Sequence, residues 1–144
     1  MGTGRGGIEL ARLYEFGGRS PNGADEFAAR RPGWELPIHQ LLAKHGVTVF
    51  FQGHDHLYAR QELDGVTYQS TPNPADPTGT AFNREAYRSG TILPNSGHLL
   101  VTVAPTGVTV RSVTSTLDRT ADGLIDGPAA DSYTIAPRPL PRRG

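Results

Sequence analysis

Residues 47–56, VTVFFQGHDH, constrain this chain more than any other stretch. The apolar and β-branched run 47–51 reads as a fully buried strand. Gln52 and Gly53 end it, and Gly53 lets the backbone turn where a Cβ would interfere. His54 and His56 follow, separated by Asp55. A strand anchored in a core therefore delivers two imidazoles at its carboxyl end, where α/β sheets place ligands. Neutral imidazole offers a nitrogen lone pair near neutral pH and suits zinc, iron, nickel and copper. Histidines at i and i+2 of an extended segment can share one side. They can clasp one ion or each take one ion of a close pair, against the plainer reading of a polar surface triplet.

Composition excludes several classes. The 144 residues suffice for one domain with a core. Fourteen Lys and Arg balance fourteen Asp and Glu, so there is no electrostatic footprint for nucleic acid. No stretch approaches the ~20 apolar residues of a membrane span. No signal peptide is read at the N-terminus. Without cysteine there is no disulfide framework and no thiolate site, so any metal would use nitrogen and oxygen ligands. Eighteen glycines and twelve prolines predict many turns and long loops.

Gly2, Gly4 and Gly7 match a dinucleotide-binding fingerprint by letter, but no buried strand feeds them, so the segment reads as a glycine loop. Residues 8–16 are expected as a short helix or irregular segment stopped by Gly17 and Gly18. Residues 19–33 read as a surface loop, with Trp34 as a structural anchor. The spacing of Leu36, Ile38, Leu41 and Leu42 predicts a helix over 35–45, with Pro37 in its first turn and Gly46 just past its end. His39 and His45 are expected on its surface as structural residues.

Asp64-Gly65 between apolar runs predicts a type I′ hairpin joining strands 57–63 and 66–70, which would pin the chain leaving the histidines. Tyr58 is read as a half-buried strand aromatic. Residues 71–90 read as a long Pro-rich loop with a helical turn over 82–87, offering Asn83, Arg84, Glu85 and Arg88 as polar candidates. Alternation over 98–104 and 108–114 around Pro105-Thr106-Gly107 predicts a second hairpin packed on the sheet, with His98 as scaffold. Residues 115–136 are expected to be a weakly structured extension with one short strand at 132–135. Residues 137–144, carrying Arg138, Arg142 and Arg143, read as a disordered Pro/Arg tail.

GHDH, preceded by GVTVFFQ and followed by LYARQELDGVTYQSTPNP, resembles the last ligand motif, Gly-His-x-His, of the calcineurin-like metallophosphoesterases, with the purple acid phosphatase branch nearest. The likeness runs over residues 6–114. It implies an α/β fold, α+β in the part seen here: an incomplete C-terminal portion of a metallophosphoesterase β-sandwich with flanking helices, spanning 1–114. It implies hydrolysis of phosphate esters by two metal ions about 3.5–4 Å apart. By resemblance His54 binds one ion and His56 the other, with Asp55 a variable middle residue. Iron, zinc and manganese all fit nitrogen and oxygen ligands.

Such a centre needs roughly seven protein ligands, and the family's other blocks, Asp-x-His, Gly-Asp, Gly-Asn-His and a single His, do not precede these two. The resemblance therefore implies a fragment that is catalytically incomplete alone. The rival expectation is a non-catalytic β-rich module whose H-x-H loop holds one ion or none. A fragment would also leave strand edges uncovered, so self-association is expected.

Overall fold

The computed structural model describes residues 6–76, 78–94, 96–120 and 123–137, with 116–120 and 123–128 described by backbone alone. The architecture is mixed α+β and mostly strand. Three short helices, α1 (Tyr14–Gly17), α2 (Phe27–Arg30) and α3 (Ile38–Lys44), precede β1 (Val49–Gln52), β2 (Tyr58–Leu63), β3 (Val66–Ser70), β4 (Thr91–Leu93), β5 (Gly97–Ala104), β6 (Gly107–Thr120) and β7 (Gly123–Ile135). The strands form a four-stranded sheet in the order β1-β3-β2-β4 and a three-stranded sheet in the order β5-β6-β7.

The β2–β3 hairpin turns at Asp64 and Gly65, with φ of 48° and 74°. Positive φ at both central residues is what a type I′ turn requires, as the Asp-Gly pair predicts. β3 then lies parallel to β1, with Gln52 opposite Ser70 at their shared carboxyl ends. The expected fully buried strand over 47–51 is corrected here. Among the described residues β1 is an edge strand with β3 as its one partner. Phe50 turns toward the core while Phe51 is 41% exposed, because only one face of this edge meets packed structure.

That face carries Phe50, Val66 and Tyr68, packed with Ala11, with Phe16 of α1 and with Ile38 and Leu42 of α3. Phe16 meets both Phe50 and Tyr68 edge-on, at 5.7 and 5.9 Å between ring centres. A second apolar cluster of Leu57, Ala59 and Tyr87 closes β2 against the 81–92 segment, whose 3₁₀ turn Arg84–Ala86 falls where a helical turn is expected. α3 starts at Ile38 with Pro37 capping it in extended geometry. His39 does not lie on the helix surface. It is buried, with Nδ1 at 2.7 Å from Tyr68 Oη and Nε2 at 2.8 Å from Asp64 Oδ2. The α3 stripe turns this side chain onto the hairpin, so its role is structural by burial. Trp34 is exposed and rests on the edge of Phe27.

The second hairpin pairs Val101 with Val110 and Val103 with Val108, but it belongs to the separate sheet. Where sequence pattern predicts a weakly structured extension over 115–136, the backbone runs as strand through β6 and β7, joined antiparallel with several register shifts. Non-local pairing with β6, bulged where the registers disagree, replaces the local alternation that 123–131 lacks. β7 meets the first sheet through Asp131 and Tyr133. Tyr58, expected half-buried, is 1% exposed beneath that contact. Among the described residues no helix is long and apolar enough to cross a membrane. Gly2 and Gly4 of the glycine loop, and the arginines of the 138–144 tail, lie outside the described residues.

Candidate metal site at the end of β1

The His-Asp-His triplet leaves the carboxyl end of β1, beside the carboxyl end of its parallel partner β3. Thr71 N–H donates to Gln52 C=O at 2.8 Å and ties the two exits together. His54 and His56 are exposed, and neither ring is hydrogen-bonded among the described residues. Both adopt positive φ, 89° and 44°. Left-handed backbone costs a non-glycine residue roughly 1–2 kcal/mol, so something must hold the turn.

Asp55 holds it. This side chain is 2% exposed. Its Oδ2 accepts from Gly6 N–H at 2.5 Å and from Tyr87 Oη–H at 2.7 Å, and its Oδ1 accepts from Asn83 Nδ2 at 3.2 Å. Hydrogen bonds to a carboxylate contribute about 1.5–3 kcal/mol each, enough in sum to offset the strain on either side. The network continues from Tyr87 Oη to Ser70 Oγ at 3.1 Å, and Gln52 Nε2 donates to Ser70 Oγ at 3.0 Å. It thus returns to the ends of the two parallel strands. Burial pushes the Tyr87 phenol above its ordinary range, so it stays a protonated donor at neutral pH.

The amino-terminal segment reaches this site because Gly7 lies flat on β2. A Cβ on Gly7 would fall 1.7 Å from Gln61 Oε1. Gln61 Oε1 accepts from Ile8 N–H at 3.0 Å, and its Nε2 donates to Glu9 and to Ser89 C=O. Gly6 is thereby carried to Asp55.

The surroundings of the two imidazoles differ. His54 borders a hollow of about 220 Å³ whose walls include Phe16, Phe50, Gln52 and Asp55. His56 lies outside that lining, with its ring centre 6.2 Å from that of Phe82. Among the described residues no group of three or more His, Cys, Asp and Glu gathers to hold a metal. The donor set present is two unengaged imidazoles, which can fill part of a coordination sphere and not the whole.

Of the other polar candidates, Asn83 joins the site, holding φ of 65° and touching Asp55. Arg84 donates to Tyr87 C=O, and Arg88 N–H donates to Glu9. Glu85 is exposed, and His98 sits half-buried on β5. The residues missed by pattern are Asp55 itself, Tyr87, Ser70 and Gly6. The one local cue is the place of Asp55 between two histidines, two residues before the apolar Leu57-Tyr58-Ala59 run, and it does not reach Gly6, Ser70 or Tyr87. Neither a scan against protein-family models nor a search of curated proteins finds a match to this chain.

Proposed function

We propose that this chain is part of a dinuclear metallophosphoesterase, in which His54 ligates one ion and His56 the other. The observation that carries this reading is the pair of exposed, unengaged imidazoles on a loop clamped at the carboxyl ends of two parallel strands. The separate surroundings of the two rings suit one ion per ring better than one ion clasped by both.

When bound, a metal pair lowers the pKa of coordinated water, orients phosphate oxygens and offsets charge on the leaving oxygen. This chain's residues contribute the ligand nitrogens and their placement. Each imidazole ligates through the lone pair of a neutral ring nitrogen. The phosphate ester is the substrate class. On this reading the remaining ligands come from sequence beyond this chain, and 1–114 form the incomplete C-terminal portion of a β-sandwich. The metals are iron, zinc or manganese.

A second reading is favoured by the want of a third donor among the described residues. It makes the chain a non-catalytic β-rich module whose H-x-H loop holds one ion or none. Calorimetric titration with zinc and with manganese, alongside hydrolysis of p-nitrophenyl phosphate, separates the two. The metallophosphoesterase reading expects two weak sites per chain, one lost in His54→Ala and the other in His56→Ala, where the module reading expects one site or none; both expect hydrolysis at the background rate. Two tightly held ions per chain would refute the incompleteness. Binding indifferent to both substitutions would refute the ligand assignment.

A further inference from the structure

We infer that Asp55 is a positioning residue, whose buried carboxylate sets the left-handed backbone of His54 and His56 before any metal arrives. The inference rests on the reading of those two histidines as ligands. It does not require Asp55 to touch a metal or either ring, because Asp55 is bonded in sequence to both.

Three observations carry it. First, the triplet alternates exposed, buried, exposed, so the middle side chain is taken into the protein while the two imidazoles stand at the surface. Second, the three donors to Asp55 come from two segments distant in sequence: Gly6 of the amino-terminal loop, and Asn83 and Tyr87 at the two ends of one 3₁₀ turn. A carboxylate held by three donors has one position, and the peptide groups on either side of it inherit that position. Third, His54 and His56 are two of the five non-glycine residues with positive φ among the described residues. A solvent-exposed imidazole gives no reason for that backbone, whereas the anchored residue between them does.

The consequence is preorganisation. A loop free to relax would spend part of any metal's binding energy on ordering two histidines. A loop already clamped would not, and outer-shell partners of this kind typically alter metal affinity by about 10–100-fold. Asp55 thus has a task that the residue type alone, an acid between two ligands, would suggest for direct ligation. Its burial and its three protein donors assign it to the support instead.

The test uses the full chain as Asp55→Ala, Tyr87→Phe and Asn83→Ala, with Tyr68→Phe as a control that loses a buried hydroxyl bonded to His39 rather than to Asp55. Backbone carbon shifts of residues 54 and 56 are read in the metal-free proteins, and zinc affinity is read by competition with a chromophoric chelator. The expected result is that Asp55→Ala moves both shifts toward unstructured values and lowers zinc affinity about 10–100-fold. Tyr87→Phe and Asn83→Ala should do so in part, while Tyr68→Phe changes neither. Should Asp55→Ala not fold, the two single-donor variants decide the matter. Unchanged shifts at 54 and 56, or shifted loops with undiminished zinc affinity, would overturn the inference. A wild-type chain that binds no zinc would instead remove the ligand reading, while the shifts still report whether Asp55 sets the turn.

Discussion

Tyr58 Oη donates to Asp131 Oδ2 at 2.6 Å, joining β2 of the first sheet to β7 of the second across 73 positions of sequence. Arg60 approaches the same carboxylate, with Nε 2.9 Å from Oδ2. Arg60 Nη2 donates to the other carboxylate oxygen, Asp131 Oδ1, at 3.5 Å and to Thr91 Oγ1 at 3.3 Å, so an ion pair and a long hydrogen bond hold the guanidinium. The guanidinium also lies 4.8 Å from the centre of the Tyr133 ring, and Tyr133 Oη donates to Gln69 Oε1 at 3.0 Å. One face of the first sheet is thus seated on β7 by polar contacts, while the opposite face carries the Asp55 network.

Asp131→Ala leaves the Tyr58 hydroxyl and the Arg60 guanidinium without their shared partner. A buried donor left unpaired costs about 1–3 kcal/mol, and partial exposure of Arg60 screens its share. The expected loss of stability is about 2 kcal/mol by urea unfolding. A double-mutant cycle with Tyr58→Phe should show the two changes coupled. Strict additivity would mean that the pair does not interact in solution.

Alkaline pH should unfold this protein. Burial raises the phenols of Tyr68 and Tyr133 to about 12 and those of Tyr58 and Tyr87 further above the ordinary value of 10. From pH 10 upward the unfolded chain sheds phenolic protons that the folded chain keeps. Stability associated with these tyrosines is therefore complete below pH 10 and is lost as pH rises through 12. Absorbance at 295 nm and circular dichroism should change together above pH 10. Four phenols ionising near 10 with the ellipticity intact would contradict this.

His39 is fixed in one tautomer by its neighbours. The Tyr68 phenol, still protonated at neutral pH, donates to Nδ1, so the proton of the neutral ring sits on Nε2 and faces Asp64. Nitrogen-15 shifts of a histidine-labelled sample at pH 8 should show that tautomer, and a proton on Nδ1 would reverse the assigned donor. His39→Ala should cost about 2–3 kcal/mol, since it orphans the buried Tyr68 hydroxyl and empties the α3–hairpin contact.

What could be read from sequence was what local chemistry decides. Asp64-Gly65 dictates its turn through backbone sterics alone, and the alternation of Leu99, Val101 and Val103 needs no distant partner to be seen. β1 misleads because Phe51 is as apolar as Phe50, although only Phe50 faces the core. β7 is opaque because 123–131 has no alternation and is held in strand by β6. The histidines of the candidate site were legible as exposed ligand-type groups after a strand. Asp55 was not, because its meaning comes from Gly6, Asn83 and Tyr87, which no spacing rule connects to it.

Self-association is the outcome expected of the sheet edges. Among the described residues β5 is an eight-residue edge strand with β6 as its one partner, and it contains no Lys, Arg, Asp, Glu or Pro. Natural edges are usually blunted by charge, proline or bulges. Here Leu100, Val101 and Val103 are exposed instead, Val103 at 76%. β1 offers a second open edge, but it is only four residues long and ends at Gln52. An antiparallel pair of β5 strands from two copies would repeat one strand against itself, uncharged on both sides, in a chain of zero net charge. Sedimentation should therefore show association that grows with concentration from micromolar to near-millimolar. Val103→Lys should shift the equilibrium toward monomer, because pairing would bring two lysines close and desolvate them. Phe51→Lys on β1 should have the smaller effect. A wild-type chain that stays monomeric throughout, or a Val103→Lys variant that associates as before, would show that the β5 edge is not adhesive.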